Sequence, residues 1–210
     1  MILLNTSTGL SVWDLVIKGG WLMIPIFLLS VAGIYIICER WFLIRKIEKR
    51  DRFFLKKIDK LLEAKNDKGA LNECLLHDSP LSRMLYKGIK YKKIPMAELR
   101  SMMENSASES IASIEKGFTT LANVSSLAPM IGFLGTVIGM VQAFYDMSLA
   151  GNNINITLLS RGIYTAMVTT VAGLIVGIIA LFGYNMLVSR VDKITNRLDR
   201  ACEKFIESLY

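Results

Sequence analysis

The run GIYTAMVTTVAGLIVGIIALFGYNMLVS, residues 162–189, contains no Asp, Glu, Lys, Arg or His. A helix needs about 20 such residues to cross roughly 30 Å of hydrocarbon. Two other stretches share the property: residues 19–38, between Lys18 and Glu39, and residues 117–145, between Lys116 and Asp146. A composition that is 52% hydrophobic would fit a soluble domain or a membrane protein equally well, so the spacing of charge decides the class. Three gaps of this length in 210 residues predict an all-α membrane protein with three transmembrane helices.

Three spans put the two ends of the chain on opposite sides. The side holding residues 1–20 and the 146–161 loop has only Lys18 and Arg161 as basic residues, balanced by Asp14 and Asp146. All other Lys and Arg, and with them the whole net charge of +7, fall on the opposite side. The positive-inside rule makes that side cytoplasmic, with the N-terminus periplasmic and the C-terminus cytoplasmic. The basic balance is therefore a signature of topology and of attraction to anionic lipid in the bilayer, and no nucleic-acid motif accompanies it. Cys38, Cys74 and Cys202 fall at or beyond cytoplasmic span ends, where an odd number of thiols gives no disulfide framework. The start lacks a basic n-region, so the first apolar run is read as a retained span.

The expected organisation is as follows. Residues 1–20 form an amphipathic segment at the outer interface, and residues 21–44 form the first span, with Trp21 and Trp41 near its ends. Residues 45–117 form a helical cytoplasmic insertion, 118–145 the second span, 146–161 a periplasmic loop, 162–189 the third span and 190–210 a cytoplasmic C-terminal helix. In the insertion, Phe54, Ile58, Leu61 and Leu62 recur at helical spacing. Asp67-Lys68-Gly69 is expected to break that helix, and Ser79-Pro80 to start another. From Pro95 the spacing of Leu99, Met103, Ser110, Ile114 and Phe118 predicts one long helix continuing into the second span. Val191, Ile194, Leu198, Ala201 and Phe205 step by three and four in a coiled-coil-like seam.

The second span contains LAPMIGFLGTVIGM (127–140) and the third AMVTTVAGLIVG (166–177). Ala128, Gly132, Gly135 and Gly139 in the one, and Gly173 and Gly177 in the other, are small residues at the spacing of helix-packing faces. Thr136, Thr165, Thr169 and Thr170 are hydroxyls in otherwise apolar helices. Each alone is weak evidence of function, since a threonine in a span often bonds the carbonyl one turn back.

Together the two stretches resemble the ExbB/TolQ family, most closely ExbB, and more distantly the MotA stators. LAP followed by GFLGTVIGM matches that family's second signature and the TT-x-x-GL run of the third span matches its third. KGGWLMIP (18–25) with Glu39-Arg40 resembles its entry segment. The resemblance implies a homo-oligomeric ring, commonly a pentamer, in the bacterial inner membrane. It implies an ExbD/TolR-like single-span partner supplying a membrane aspartate, and a TonB-like protein driven by the proton-motive force for transport across the outer membrane. Thr136 and Thr170 match the family's pore-lining threonines, and with Thr165 and Thr169 of the third span they are the expected ion-path residues. One position departs: where ExbB and TolQ carry a glutamate, five residues before the third-span threonine, this chain has Thr165.

The residue inventory bears on the same point independently. Spans with hydroxyls but no carboxylate, amine or imidazole cannot carry protons by themselves, but they can form a polar wall for a partner's titrating group. An enzyme would leave catalytic or metal-binding residues in the spans, and there are none, so no catalytic residue, metal or cofactor is expected. His77 is the only histidine and is expected at the surface of the insertion. A passive scaffold would account for the small-residue faces but not for threonines aligned with them in both spans.

Overall fold

The computed structural model describes residues 20–64, 66–149 and 156–209. Among these, every regular element is an α-helix: α1 (Met23–Glu63), α2 (Asp67–Leu76), α3 (Pro80–Lys90), α4 (Met96–Ile114), α5 (Phe118–Leu149) and α6 (Ile156–Glu207). Three of them, α1, α5 and α6, contain stretches long and apolar enough to cross a membrane. The expected amphipathic segment at residues 1–20 lies, up to residue 19, outside the described residues, as does the centre of the 146–161 loop. The chain forms two compact units, one of residues 1–36 and 119–184, the other of residues 37–118 and 185–210.

In the first unit α5 and α6 run antiparallel, and glycine decides how closely. A Cβ on Gly139 would lie 2.7 Å from the Cβ of Ala166, and one on Gly162 2.6 Å from that of Ala143. Further along, a Cβ on Gly132 would lie 2.9 Å from the Thr169 carbonyl oxygen, one on Gly173 3.0 Å from the Gly132 Cα, and one on Gly177 2.5 Å from the Pro129 ring. Ala128 and Ala166 are buried in the same seam. The small residues of the two spans thus meet each other within one chain, backbone against backbone, as close packing in lipid requires. On α1, Gly33 faces Leu121 and Val124 of α5 at ordinary van der Waals distance. Outside these contacts the unit presents large apolar side chains, among them Phe27, Val31, Phe133, Val141, Ile178 and Phe182, to its surroundings. A surface of that kind fits hydrocarbon.

The second unit is a packed helical body in which, among the described residues, every charged side chain but Asp51 is at least partly exposed. Phe54 and Ile58 of α1, Leu81 and Met84 of α3, Leu99 and Met103 of α4, and Val191, Ile194 and Leu198 of α6 are all buried. The 191–205 seam is therefore core of the chain's own unit. Ion pairs hold α6 to α1: Arg190 to Glu48 at 3.3 Å and Lys204 to Asp59 at 2.7 Å. Two guanidinium groups stack over the Trp41 ring, Arg45 at 4.5 Å and Arg190 at 3.9 Å from its centroid. Such stacking is worth about 0.5–1 kcal/mol at exposed sites. Arg40 pairs with Glu39 at 3.6 Å and reaches the Ser113 carbonyl at 3.5 Å.

Three local expectations are corrected. The helix from Pro95 does not continue into the second span. It ends at Ile114, and Gly117 turns the chain at φ 89°, a left-handed conformation that a residue with a Cβ rarely adopts. Asp67-Lys68-Gly69 is the first turn of α2 rather than a break, because the Asn66 side chain accepts from the Gly69 amide and caps the helix. His77 is half-buried rather than a surface residue, its ring stacked on Phe54 with centroids 4.7 Å apart. Ser79-Pro80 does start a helix. Ser79 and Ser82 exchange backbone and side-chain bonds in a capping box, with Pro80 in the first turn.

Candidate functional site

Two threonines of α6, Thr169 and Thr170, lie where α5 and α6 approach closely at Gly132 and Gly135. Thr170 donates its hydroxyl to the Gly132 carbonyl at 2.8 Å, across the helix pair. Thr169 donates to the Ala166 carbonyl on its own helix at 2.7 Å and lies 3.4 Å from the same Gly132 oxygen. Gly132 can serve both because it brings no side chain between them, and Gly135 leaves the space that the Thr169 side chain fills. One turn before Gly132, Pro129 sits inside α5 without breaking it. Proline has no amide to donate, so the Ser125 carbonyl loses its helical partner, and Gly177 of α6 packs against that oxygen.

The sequence-designated threonines are not equivalent in this arrangement. Thr169 is 2% exposed and is enclosed between the two helices. Thr136, Thr165 and Thr170 are half-buried. Thr136 donates to the Phe133 carbonyl of its own helix at 2.6 Å, so it is joined neither to Thr170 nor to Thr169. The hydroxyl protons of Thr136, Thr169 and Thr170 are all directed to backbone carbonyls. What Thr136 and Thr170 offer a visiting group is an oxygen lone pair, so a neutral carboxylic acid, which donates, fits the arrangement as it stands. An ionised carboxylate would need a hydroxyl to turn from its carbonyl.

No group of three or more His, Cys, Asp or Glu suited to a metal occurs among the described residues. Cys74 and Cys202 are buried thiols in the second unit. Burial, then the charge of Glu73, pushes Cys74 up to about 12, which leaves little reactive thiolate at neutral pH.

One constellation escaped the sequence reading. Asp51 of α1 is 6% exposed, and its Oδ1, like the Nε2 of His77, is buried without a hydrogen-bond partner. Burial pushes the Asp51 carboxyl above the usual carboxylate range, opposed by Ser79, His77 and Arg197. The signal was present in the spacing. Ile47, Asp51, Phe54 and Ile58 form one helical stripe in which three members are apolar and all four are buried.

The profile of the MotA/TolQ/ExbB proton channel family matches residues 76–200, which include both threonine-bearing helices. The chain is 31% identical over 179 residues to an ExbB-like 1 biopolymer transport protein of Synechocystis sp., covering 84% of this chain and 70% of that one. It is 27% identical to a biopolymer transport protein ExbB homolog of Methanothermobacter thermautotrophicus, over 82% of this chain and 62% of that one. It is 25% identical to the biopolymer transport protein exbB1 of Vibrio cholerae, over 83% of this chain and 78% of that one.

Proposed function

Because this chain belongs to the MotA/TolQ/ExbB proton channel family, we propose that it is the ring-forming subunit of a proton-driven motor of the inner membrane. In this reading several copies, five by resemblance to ExbB, surround an ExbD/TolR-like single-span partner that supplies a membrane aspartate. The assembly energises a TonB-like protein for transport across the outer membrane. The observation that carries the proposal is the pairing of two properties. No Asp, Glu, Lys, Arg or His lies in residues 117–145 or 162–189, yet threonine oxygens stand half-buried at the packed level of α5 and α6. A wall of that kind holds no proton of its own and serves a carboxylic acid brought to it. Thr136 and Thr170 are the residues we assign to the wall, with Thr165 one turn and a half from Thr170. The enclosed Thr169 fills the space that Gly135 leaves between the two helices.

Affinity purification of the tagged full chain from its native membrane tests this reading. A single-span protein with an aspartate in its span should be recovered with it, in fewer copies than the chain itself. Recovery of the homo-oligomer alone would leave a passive scaffold as the better account.

The proposed orientation is tested separately. Cysteines introduced at Asn5 and Asn153 should react with an impermeant thiol reagent in cells whose outer membrane has been permeabilised. One at Lys68, exposed on α2, should react only after lysis. Labelling at Lys68 in intact inner membranes would reverse the topology.

A further inference from the structure

The first charges beyond the apolar stretches mark where hydrocarbon gives way to lipid headgroups. They are Glu39 and Arg40 after residues 19–38, Lys116 before residues 117–145, and Arg190 after residues 162–189. All four belong to the second unit. The cations among them are not equally occupied. Arg40, whose side chain is 16% exposed, is held by Glu39 and by the Ser113 carbonyl in the last turn of α4. A helix leaves the carbonyls of that turn without backbone partners, so Arg40 serves the fold.

Arg190 and Arg45 are placed differently. Both stack over Trp41, at 3.9 Å and 4.5 Å from its ring centroid, so α1 and α6 bring two guanidinium groups to one indole. Glu48 pairs with Arg190 at 3.3 Å and with Arg197 at 4.0 Å. Arg45 is exposed and makes no ion pair among the described residues. Along α1, Cys38, Phe42 and Arg45 stand at i, i+4 and i+7 on one exposed face. Phe42 is 71% exposed although it lies beyond the first charges of its span. From the hydrocarbon outward, that face therefore presents a thiol, an aromatic ring and then a cation.

We propose that Arg45 and Arg190, presented on Trp41, form a site for the phosphate of one anionic phospholipid, whose glycerol and upper acyl part lies against Phe42 and Cys38. A guanidinium offers five N–H donors in a planar fork suited to phosphate, and only Nη1 of Arg190 is directed to Glu48. The indole holds both groups in place, so less side-chain freedom is lost when the lipid binds. Basic pockets between membrane helices take anionic headgroups in this way. A zwitterionic lipid brings the same phosphate together with a cation, which the two arginines repel. The apolar continuation of the site toward the hydrocarbon selects a lipid over free phosphate. The inference rests on the three spans alone, so failure of the motor reading would leave it standing.

Native mass spectrometry of the purified full-length protein tests the site. Dioctanoyl phosphatidylglycerol, dioctanoyl phosphatidylcholine and inorganic phosphate are titrated separately. The wild-type chain should bind phosphatidylglycerol saturably, up to one lipid per chain and about tenfold or more tighter than phosphatidylcholine, the scale of one charge-assisted contact. Inorganic phosphate should bind more weakly than the anionic lipid. Arg45→Gln should remove the preference between the two lipids. Lys49→Gln takes the same charge from an exposed position one turn further along α1, and should leave the preference in place. Equal weakening by the two variants would replace the site with diffuse attraction to the membrane surface and overturn the proposal. A wild-type chain that does not distinguish the lipids, or that binds inorganic phosphate as tightly as phosphatidylglycerol, would overturn it without recourse to the variants.

Discussion

Gly173→Ala is expected to separate α5 from α6, although it adds only one methyl group. The new Cβ would fall on the Ala128 carbonyl oxygen and 3.0 Å from the Gly132 Cα, so it meets backbone on both sides. A flexible side chain could swing away from such an intrusion, whereas a helix backbone can only retreat as a whole. Retreat would also pull Gly132 from Thr170 and break the 2.8 Å bond between the two helices. Overpacking in a well-packed core costs about 1–3 kcal/mol, and a clash with fixed backbone belongs at or above the upper end. The thermal midpoint of the detergent-solubilised protein should fall by about 10 °C, at some 2–4 °C per kcal/mol for a chain of this size. Gly33→Ala is the matched control in the same unit, since its Cβ would sit 3.5 Å from Val124, an ordinary contact. Equal loss of stability in both variants would mean that the α5–α6 seam is not held by close approach.

That seam shows what the sequence made legible and what it did not. The three apolar stretches were readable because the cost of burying charge in hydrocarbon is large and leaves long gaps in the charge pattern. The small-residue faces were readable too, but their partner was not. Helical spacing identifies a face and is silent on whether it meets the same chain or another copy. The same limit applies to the 191–205 seam, whose period suggested a coiled coil and whose Val191, Ile194, Leu198 and Phe205 are buried in the chain's own second unit. Helix ends were misjudged for a different reason. Following apolar spacing alone from Pro95 missed Gly117, where a left-handed turn separates α4 from α5. Side-chain capping also outweighed composition at Asn66, where a glycine-containing stretch became a helix start. Asp51 stayed hidden because a charged residue is presumed exposed, even at a position where the helical period places it inside.

The threonines separate into structural and functional roles through substitution by valine, which keeps the shape and removes the hydroxyl. Thr169→Val should leave energised transport in place and change the helix pair little, because Thr169 is enclosed and spends its hydroxyl on Ala166 of its own helix. Thr136→Val should leave the oligomer and the partner bound while transport falls, and Thr170→Val should lower transport and also loosen the helix pair, because it loses the bond to the Gly132 carbonyl. A partner's carboxylic acid facing only apolar wall stays neutral, because desolvation raises its pKa. At Thr136 or Thr170 the acid first finds an acceptor, and ionises only when a hydroxyl turns from the Phe133 or Gly132 carbonyl to donate instead. Hydrogen bonds to a charged group are worth about 1.5–3 kcal/mol, so each lost hydroxyl should slow proton transfer about tenfold to a hundredfold. The membrane potential supplies about 2.3 kcal/mol per charge per 100 mV, too little to recover both losses at once. Transport by the Thr136→Val, Thr170→Val double variant should therefore fall to background. Its measurement in cells with normal amounts of the assembled complex decides between wall and packing. Full transport in that variant would reduce both threonines to packing residues.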